Sequence, residues 1–258
     1  MVAPARLSES LIICSSYSGN TEEVLEAYNQ ARLAGLSLSV IAVGGALLER
    51  AERDKVPYVQ LPDTGIQPRS ALGFSLRGIA ALMGLDELLE ESLGLFETLR
   101  PLAYEQKGRE LADRLKGFVP IIYSSRANGA VAYNWKIKCN ETGKIPAFYN
   151  VFSELNHNEM TGFDVKESSK QLSERFYFIF LKDPSDHPKI LKRMEVLKGL
   201  YEDRNLKVEI LEFEGKTACE KIFFSLLLAD WTALYLAEHY GLESEQVPMV
   251  EEFKKLID

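Results

Sequence analysis

Short stretches of largely apolar residues recur along this chain, and each leads into a segment of helical character. Leu11-Ile12-Ile13-Cys14 is the first, and Leu38 to Val43, interrupted only by Ser39, the next. A strand that alternates apolar and polar residues can leave one face in water. A strand apolar on both sides must be covered on both, which is the demand of a parallel sheet flanked by helices.

The rhythm runs through the chain. In the first half a strand is expected over Leu11–Ser16, a helix over Thr21–Leu33 stopped near Gly35, and a strand over Leu38–Val43 ending at Gly44-Gly45. A helix over Leu47–Asp54 and a short strand over Tyr58–Leu61 follow. Helices then cover Ser70–Leu82, Asp86–Leu99 and, beyond Pro101, about 105–116. The second half repeats the pattern: strand Val119–Tyr123, helix Gly129–Cys139 and strand Ala147–Val151. Next come strand Phe176–Lys182, helix Pro188–Asp203 with proline in its first turn, and strand Val208–Phe213. A long apolar helix over Thr217–Tyr240 is closed by Gly241, and a short helix covers Val247–Ile257. The expectation is an α/β protein of two doubly wound domains, residues 1–100 and 101–258.

Charge narrows the function classes. The formal net charge of -8 argues against nucleic acid or an anionic membrane as partner. An anionic small substrate would need cationic groups close by, because the overall field repels it. Cys14, Cys139 and Cys219 are distant from one another and show neither metal-ligand nor disulfide spacing, so a reducing cytoplasm is expected. No apolar run approaches the roughly 20 residues of a membrane helix, and the opening Met1-Val2-Ala3-Pro4-Ala5-Arg6 does not read as a signal peptide.

The chemistry starts at Ser16-Tyr17-Ser18-Gly19-Asn20-Thr21, a hydroxyl-rich turn between the first strand and the first helix. Such a turn offers a phosphate group hydroxyls, backbone N–H groups and the positive end of a helix dipole. It lacks the lysine and glycine spacing of a P-loop, so a nucleoside triphosphate is not expected. Ser124-Ser125 after a second-half strand hints at an internal duplication.

The turn resembles the phosphate-binding loop of sugar isomerase (SIS) domains. Further segments narrow that resemblance to the bifunctional phosphoglucose/phosphomannose isomerases. They are Gln67-Pro68-Arg69-Ser70-Ala71-Leu72-Gly73, Asn140-Glu141-Thr142-Gly143-Lys144-Ile145-Pro146-Ala147, Glu154-Leu155-Asn156-His157-Asn158-Glu159 and the late Phe253-Lys254. They occur in the family's order along essentially the whole chain. Members usually carry a further strand ending in a Gly-Gly-Ser turn ahead of the hydroxyl-rich loop. The ten residues before Leu11 do not contain it, so an altered sheet edge and a weakened phosphate cradle are expected.

The resemblance implies a cofactor-free aldose–ketose isomerase acting on a phosphorylated hexose, with Ser16, Ser18 and Thr21 on the phosphate. It gives Glu141 the role of proton-transfer base, a task suited to a carboxylate. Lys138 and Lys144 either keep that carboxylate ionised or are plain surface charges. His157 is implied as the ring-opening residue, Arg69 as the cation beside the developing enediolate, and Lys254 as a lysine that reaches the substrate. It further implies a homodimer in which the histidine of one chain completes the other chain's site. The apolar helix Thr217–Tyr240, buried in a core or an interface, is in keeping with that. His187 and His239 read as structural, His239 complementing the end of its helix. The histidines and cysteines do not cluster, so no metal is expected. A second reading is a non-catalytic SIS protein that binds a phosphosugar without converting it.

Overall fold

In the computed structural model, which describes residues 6–257, every strand pairing is parallel. The chain divides between Phe96 and Glu97 into two units, each with its own sheet.

The first unit contains β1 (Leu11–Ser15), α1 (Glu22–Leu33), β2 (Ser37–Ala42), α2 (Gly45–Asp54) and β3 (Tyr58–Gln60), then α3 (Leu72–Met83) and the start of α4 (Asp86–Thr98). Its sheet has the order β1-β2-β3, with Leu11 opposite Ser37 and Val40 opposite Tyr58. The apolar run, broken only by Ser39, foretold β2, where Leu38 through Ala42 are all buried. One side of the sheet packs with Tyr28, Ala31, Leu47 and Ala51 of α1 and α2. On the other side, Gly78 of α3 comes close enough that a Cβ there would stand 3.3 Å from Ile41.

The second unit begins with a 3-10 turn (Pro101–Tyr104) and continues α5 (Glu105–Leu115), β4 (Val119–Ser125), α6 (Gly129–Glu141) and β5 (Phe148–Phe152). A 3-10 turn (Glu154–Asn156) and the short α7 (Glu159–Gly162) and α8 (Lys170–Ser173) lead to β6 (Phe176–Lys182). Then come α9 (Pro188–Glu202), β7 (Lys207–Glu212), α10 (Ala218–His239) and α11 (Pro248–Ile257). The sheet order is β5-β4-β6-β7. The chain leaves β4 toward one edge and β6 toward the other, so right-handed crossovers set α6 and α9 on opposite faces. Side chains divide accordingly. Tyr123, Phe178 and Phe180 pack with Met194, Leu197 and Tyr201 of α9, whereas Trp135 of α6 donates to Ser225 of α10 at 3.0 Å.

Helix α10 is the long apolar helix expected from the sequence. A capping box of Thr217 and Glu220 starts it, and it buries Leu226, Ala229, Ala233 and Leu236 while packing against α5 and α6. At Gly108 of α5 the contact is so close that a Cβ would lie 2.4 Å from that of Trp231. The buried residues belong to the core of its own unit, while Ile222, Phe223, Leu227 and Leu234 stay partly exposed. No helix is long and apolar enough to cross a membrane among the described residues.

Candidate functional site

In the first unit the hydroxyl-rich turn is shaped by a second turn. Ser16 directly follows β1, with its N–H on the Ile41 carbonyl at 3.0 Å. Its buried hydroxyl meets the Thr21 hydroxyl at 2.8 Å and accepts the Gly19 N–H at 3.1 Å. Ser18 is exposed and accepts the Asn20 N–H at 3.3 Å. Thr21 is the residue before α1, not its first residue as expected, and its hydroxyl faces Ser16 without capping the helix. The first-turn amides of a helix have no intrahelical acceptor, which leaves this end suited to an anion. Glu22 and Glu23 in the same turn oppose that tendency.

Gly44-Gly45, read from the sequence only as a strand end, is the other half of this arrangement. Val43 donates to the Tyr17 carbonyl at 3.0 Å, Leu47 to the Gly19 carbonyl at 2.9 Å, and Ala46 to the Asn20 side chain at 3.0 Å. The approach excludes side chains. A Cβ on Gly19, itself at φ +73°, would lie 1.8 Å from the Gly44 carbonyl oxygen, and one on Gly45 would lie 2.5 Å from that of Ser18. Arg69 sits half-buried in the 3-10 turn Pro68–Ser70 just ahead of α3. All three strands are parallel, so the Ser16–Thr21 turn and the segment that runs on from β3 toward Arg69 both leave the sheet at its carboxyl end, where ligands of such folds bind.

The second unit repeats the strand–serine–turn–helix pattern, with a different occupant. Asn128 donates to the Ser125 hydroxyl through its backbone at 3.3 Å and its side chain at 3.2 Å. The Asp183 carboxylate stands beside it, 3.5 Å from the Asn128 amide, and accepts from Lys221 at 2.7 Å and from the Ser185 hydroxyl at 2.7 Å. Burial would push that carboxyl up, but the Lys221 and Ser185 hydrogen bonds outweigh it and hold it down at about 2.

Glu141 is the last residue of α6, half-buried, where a polar turn was expected. Lys138 is 2% exposed, its ammonium 2.5 Å from Asp230, so its partner is a residue far along the chain. Lys144 donates to the Glu141 main-chain carbonyl at 2.6 Å and to the Gln246 carbonyl. Neither lysine is the plain surface charge of the sequence reading.

His157 is exposed just after the 3-10 turn Glu154–Asn156. The motif around it is held from beneath by Leu155, fully buried, and by Glu159. Glu159 accepts from the Tyr123 hydroxyl at 2.5 Å and from the Asn150 amide. That role for Glu159 was not read from the sequence, although the residue lies inside the quoted motif. Asn158 accepts the Glu159 N–H at 2.5 Å, the one capping contact expected of the flanking asparagines that forms.

Within this unit Glu141 and His157 do not meet. Helix α6 runs antiparallel to the strands, so its last residue lies toward their amino ends. The hydroxyl of Tyr240, at the end of α10, accepts from Gly117 ahead of β4 at that same end. His157 follows the carboxyl end of β5, on the face that packs with α9 and away from α6. The 13 residues of α6 alone correspond to about 20 Å along the strands. Lys254 is exposed on α11 and donates to Glu251 at 2.7 Å. Its helix starts at the Glu141 end, where Lys144 reaches Gln246. Among the described residues no group of three His, Cys, Asp or Glu side chains converges to hold a metal ion.

A family model described as the bacterial phospho-glucose isomerase C-terminal SIS domain matches residues 104–257. A bifunctional phosphoglucose/phosphomannose isomerase from Aquifex aeolicus is 34% identical, over 95% of this chain and 75% of the relative. One of the same description from Caldicellulosiruptor bescii is 36% identical, over 98% of this chain and 78% of the relative. Among solved structures, glucosamine-6-phosphate deaminase from Thermotoga maritima shares the fold, with a TM-score of 0.67 at 13% identity over 95% of this chain and 75% of its own.

Proposed function

Because the chain belongs to the bifunctional phosphoglucose/phosphomannose isomerase family, we propose that it interconverts glucose 6-phosphate and mannose 6-phosphate with fructose 6-phosphate. The observation that carries this reading is identity above 30% across nearly the whole chain to relatives so described. The two aldoses differ only at C2 and lose that difference in a common enediol, so one base can serve both. A proton moves between adjacent carbons and the sugar's oxidation level is unchanged, so the step needs no redox cofactor.

In this reading Ser16, Ser18 and Thr21 hold the phosphate at the start of α1. Glu141 removes the C2 proton and returns it to C1. Arg69 stabilises the negative oxygen that develops in between, Lys254 reaches the substrate, and His157 opens the ring by exchanging a proton with its oxygen. The distance of His157 from Glu141 within one unit supports a shared site in a homodimer, the histidine coming from a second copy. The three buried cysteines, none of them disulfide-bonded, fit a reducing cytoplasm.

A coupled assay for fructose 6-phosphate with each aldose tests the activity. Glu141→Gln is expected to abolish exchange of the C2 proton with solvent while leaving binding nearly intact; equal exchange in variant and wild type would remove Glu141 from the reaction. Mixing inactive Glu141→Gln and His157→Ala chains tests the sharing. Random pairing leaves one intact site in half of the dimers, so about a quarter of wild-type activity should return. Sites confined to one chain would recover nothing.

A further inference from the structure

A lysine that takes part in a reaction must be held where the reaction occurs, and α11 is poorly held by its own contacts. The helix buries none of its residues, and the side chains of Met249, Phe253 and Leu256 are exposed. Its position relative to Glu141 therefore depends on the segment that leads into it.

That segment is fixed at both of its ends. Glu243 accepts the backbone N–H of Glu245 at 2.7 Å and of Gln246 at 2.6 Å, which turns the Gln246 carbonyl in one direction. The next carbonyl, that of Val247, accepts from Val250 at 2.9 Å and Glu251 at 3.2 Å and so begins α11. From the other side Lys144 donates to Gln246 and, at 2.6 Å, to the Glu141 carbonyl at the end of α6. The ammonium lies where a helix end favours positive charge, and the turn that delivers it is tightly specified. Lys144 adopts φ +57°. Gly143 is buried so close beneath α6 that a Cβ would lie 2.8 Å from the Cys139 carbonyl oxygen. The Asn140 amide donates to the Ile145 carbonyl at 2.9 Å, closing the turn.

We infer that Lys144 is a positioning residue that latches the C-terminal helix to the end of α6, and thereby sets Lys254 relative to Glu141. The inference rests on the reading of Glu141 and Lys254 as members of one site. The Lys144 ammonium joins two main-chain carbonyls, one belonging to Glu141 and the other to Gln246, eight residues ahead of Lys254. Most of those eight residues are helical, so a fixed Gln246 carries Lys254 with it.

Lys144→Met keeps the apolar stem and removes the donor. Hydrogen exchange should rise in residues 247–257 with the rest of the second unit unchanged. The turnover number should fall about tenfold, the worth of a charge-assisted hydrogen bond at the low end of its range. Lys144→Arg, which can still reach two carbonyls, should restore most of both. A double-mutant cycle identifies the residue through which the effect passes. In a Lys254→Met background, Lys144→Met should cost no further turnover, because the group it positions is gone. An undiminished cost in that background would overturn the inference. So would unchanged exchange in 247–257, whatever the kinetics. Raised exchange with wild-type turnover in Lys254→Met keeps the latch and removes Lys254 from the reaction, a failure of the functional reading alone.

Discussion

The two units each end a strand in serine, turn, and start a helix, and the two turns differ in what occupies them. Around Ser16–Thr21 the partners are hydroxyls and amides, with no carboxylate among the contacts of Ser16, Ser18 or Thr21 described above. Around Ser125–Asn128 an internal carboxylate, Asp183, is already in place and neutralised by Lys221. A strand–turn–helix junction draws negative charge whatever its source. Left open, it can accept a ligand; filled from within, it serves the fold. In the first unit the neighbouring loop contributes glycines that shape the turn, whereas in the second it contributes an aspartate that stands beside the Asn128 side chain.

The largest expected break in that contrast is at Gly19. Alanine there would need a left-handed backbone and would drive its Cβ to 1.8 Å from the Gly44 oxygen, so the two loops must separate. Gly19→Ala is expected to raise the Michaelis constant for hexose 6-phosphate on the order of 100-fold, the loss of about two charge-assisted hydrogen bonds. Wild-type binding by a folded Gly19→Ala protein would show that the close approach of the loops is dispensable.

A smaller effect is expected from the hydroxyls themselves. Ser18→Ala and Thr21→Ala should each raise the Michaelis constant about tenfold and change turnover by less than about twofold, because contacts to a non-reacting phosphate bind ground and transition states alike. Steady-state kinetics on both aldoses measures this. Unchanged Michaelis constants in both variants would take the turn out of the site.

How far these features could be read from the sequence follows from the reach of each interaction. Strands such as β2 and β6 announce themselves because burial on both faces leaves an apolar run with few interruptions. Helix ends were placed within a residue or two where glycine or proline marks them, as at Pro188. The last two residues of α6, Asn140 and Glu141, were missed because a run of polar residues ahead of Gly143 reads as a turn, although none of them stops a helix. The pairing of Gly44-Gly45 with the Ser16–Thr21 turn was out of reach, since it is a contact between two loops and neither loop encodes it alone. The same holds for Lys138, whose burial makes sense only beside Asp230, 92 positions away. The short α7 and α8 are too brief to show a period. Glu141, His157 and Lys254 were nameable from motifs, but the placement of His157 away from Glu141 follows from strand order and crossover hand, which no motif contains.

The second turn supplies the smallest and most specific effect. The Asp183 carboxyl is held at about 2 against an ordinary value of 3.8, so the folded chain binds the proton less readily than the unfolded one. Such a group contributes stability at all pH values above the unfolded value, and the contribution is lost as pH falls from about 4 toward 2. Allowing for the partial exposure of Lys221, about 1–2 kcal/mol is at stake. Asp183→Asn should therefore lower the denaturant midpoint of the second unit at pH 7, and the gap between variant and wild type should close as pH is brought from 5 to 2.5. The same variant should leave the Michaelis constant for hexose 6-phosphate unchanged, whereas Ser18→Ala raises it without moving the denaturant midpoint. That crossed result would establish one turn as a ligand site and the other as a structural plug. A gap that stays constant with pH would mean that Asp183 does not act through its charge. A Michaelis constant that rises in Asp183→Asn would move the second turn into the substrate's path, and the two junctions would have to be read as one kind of site.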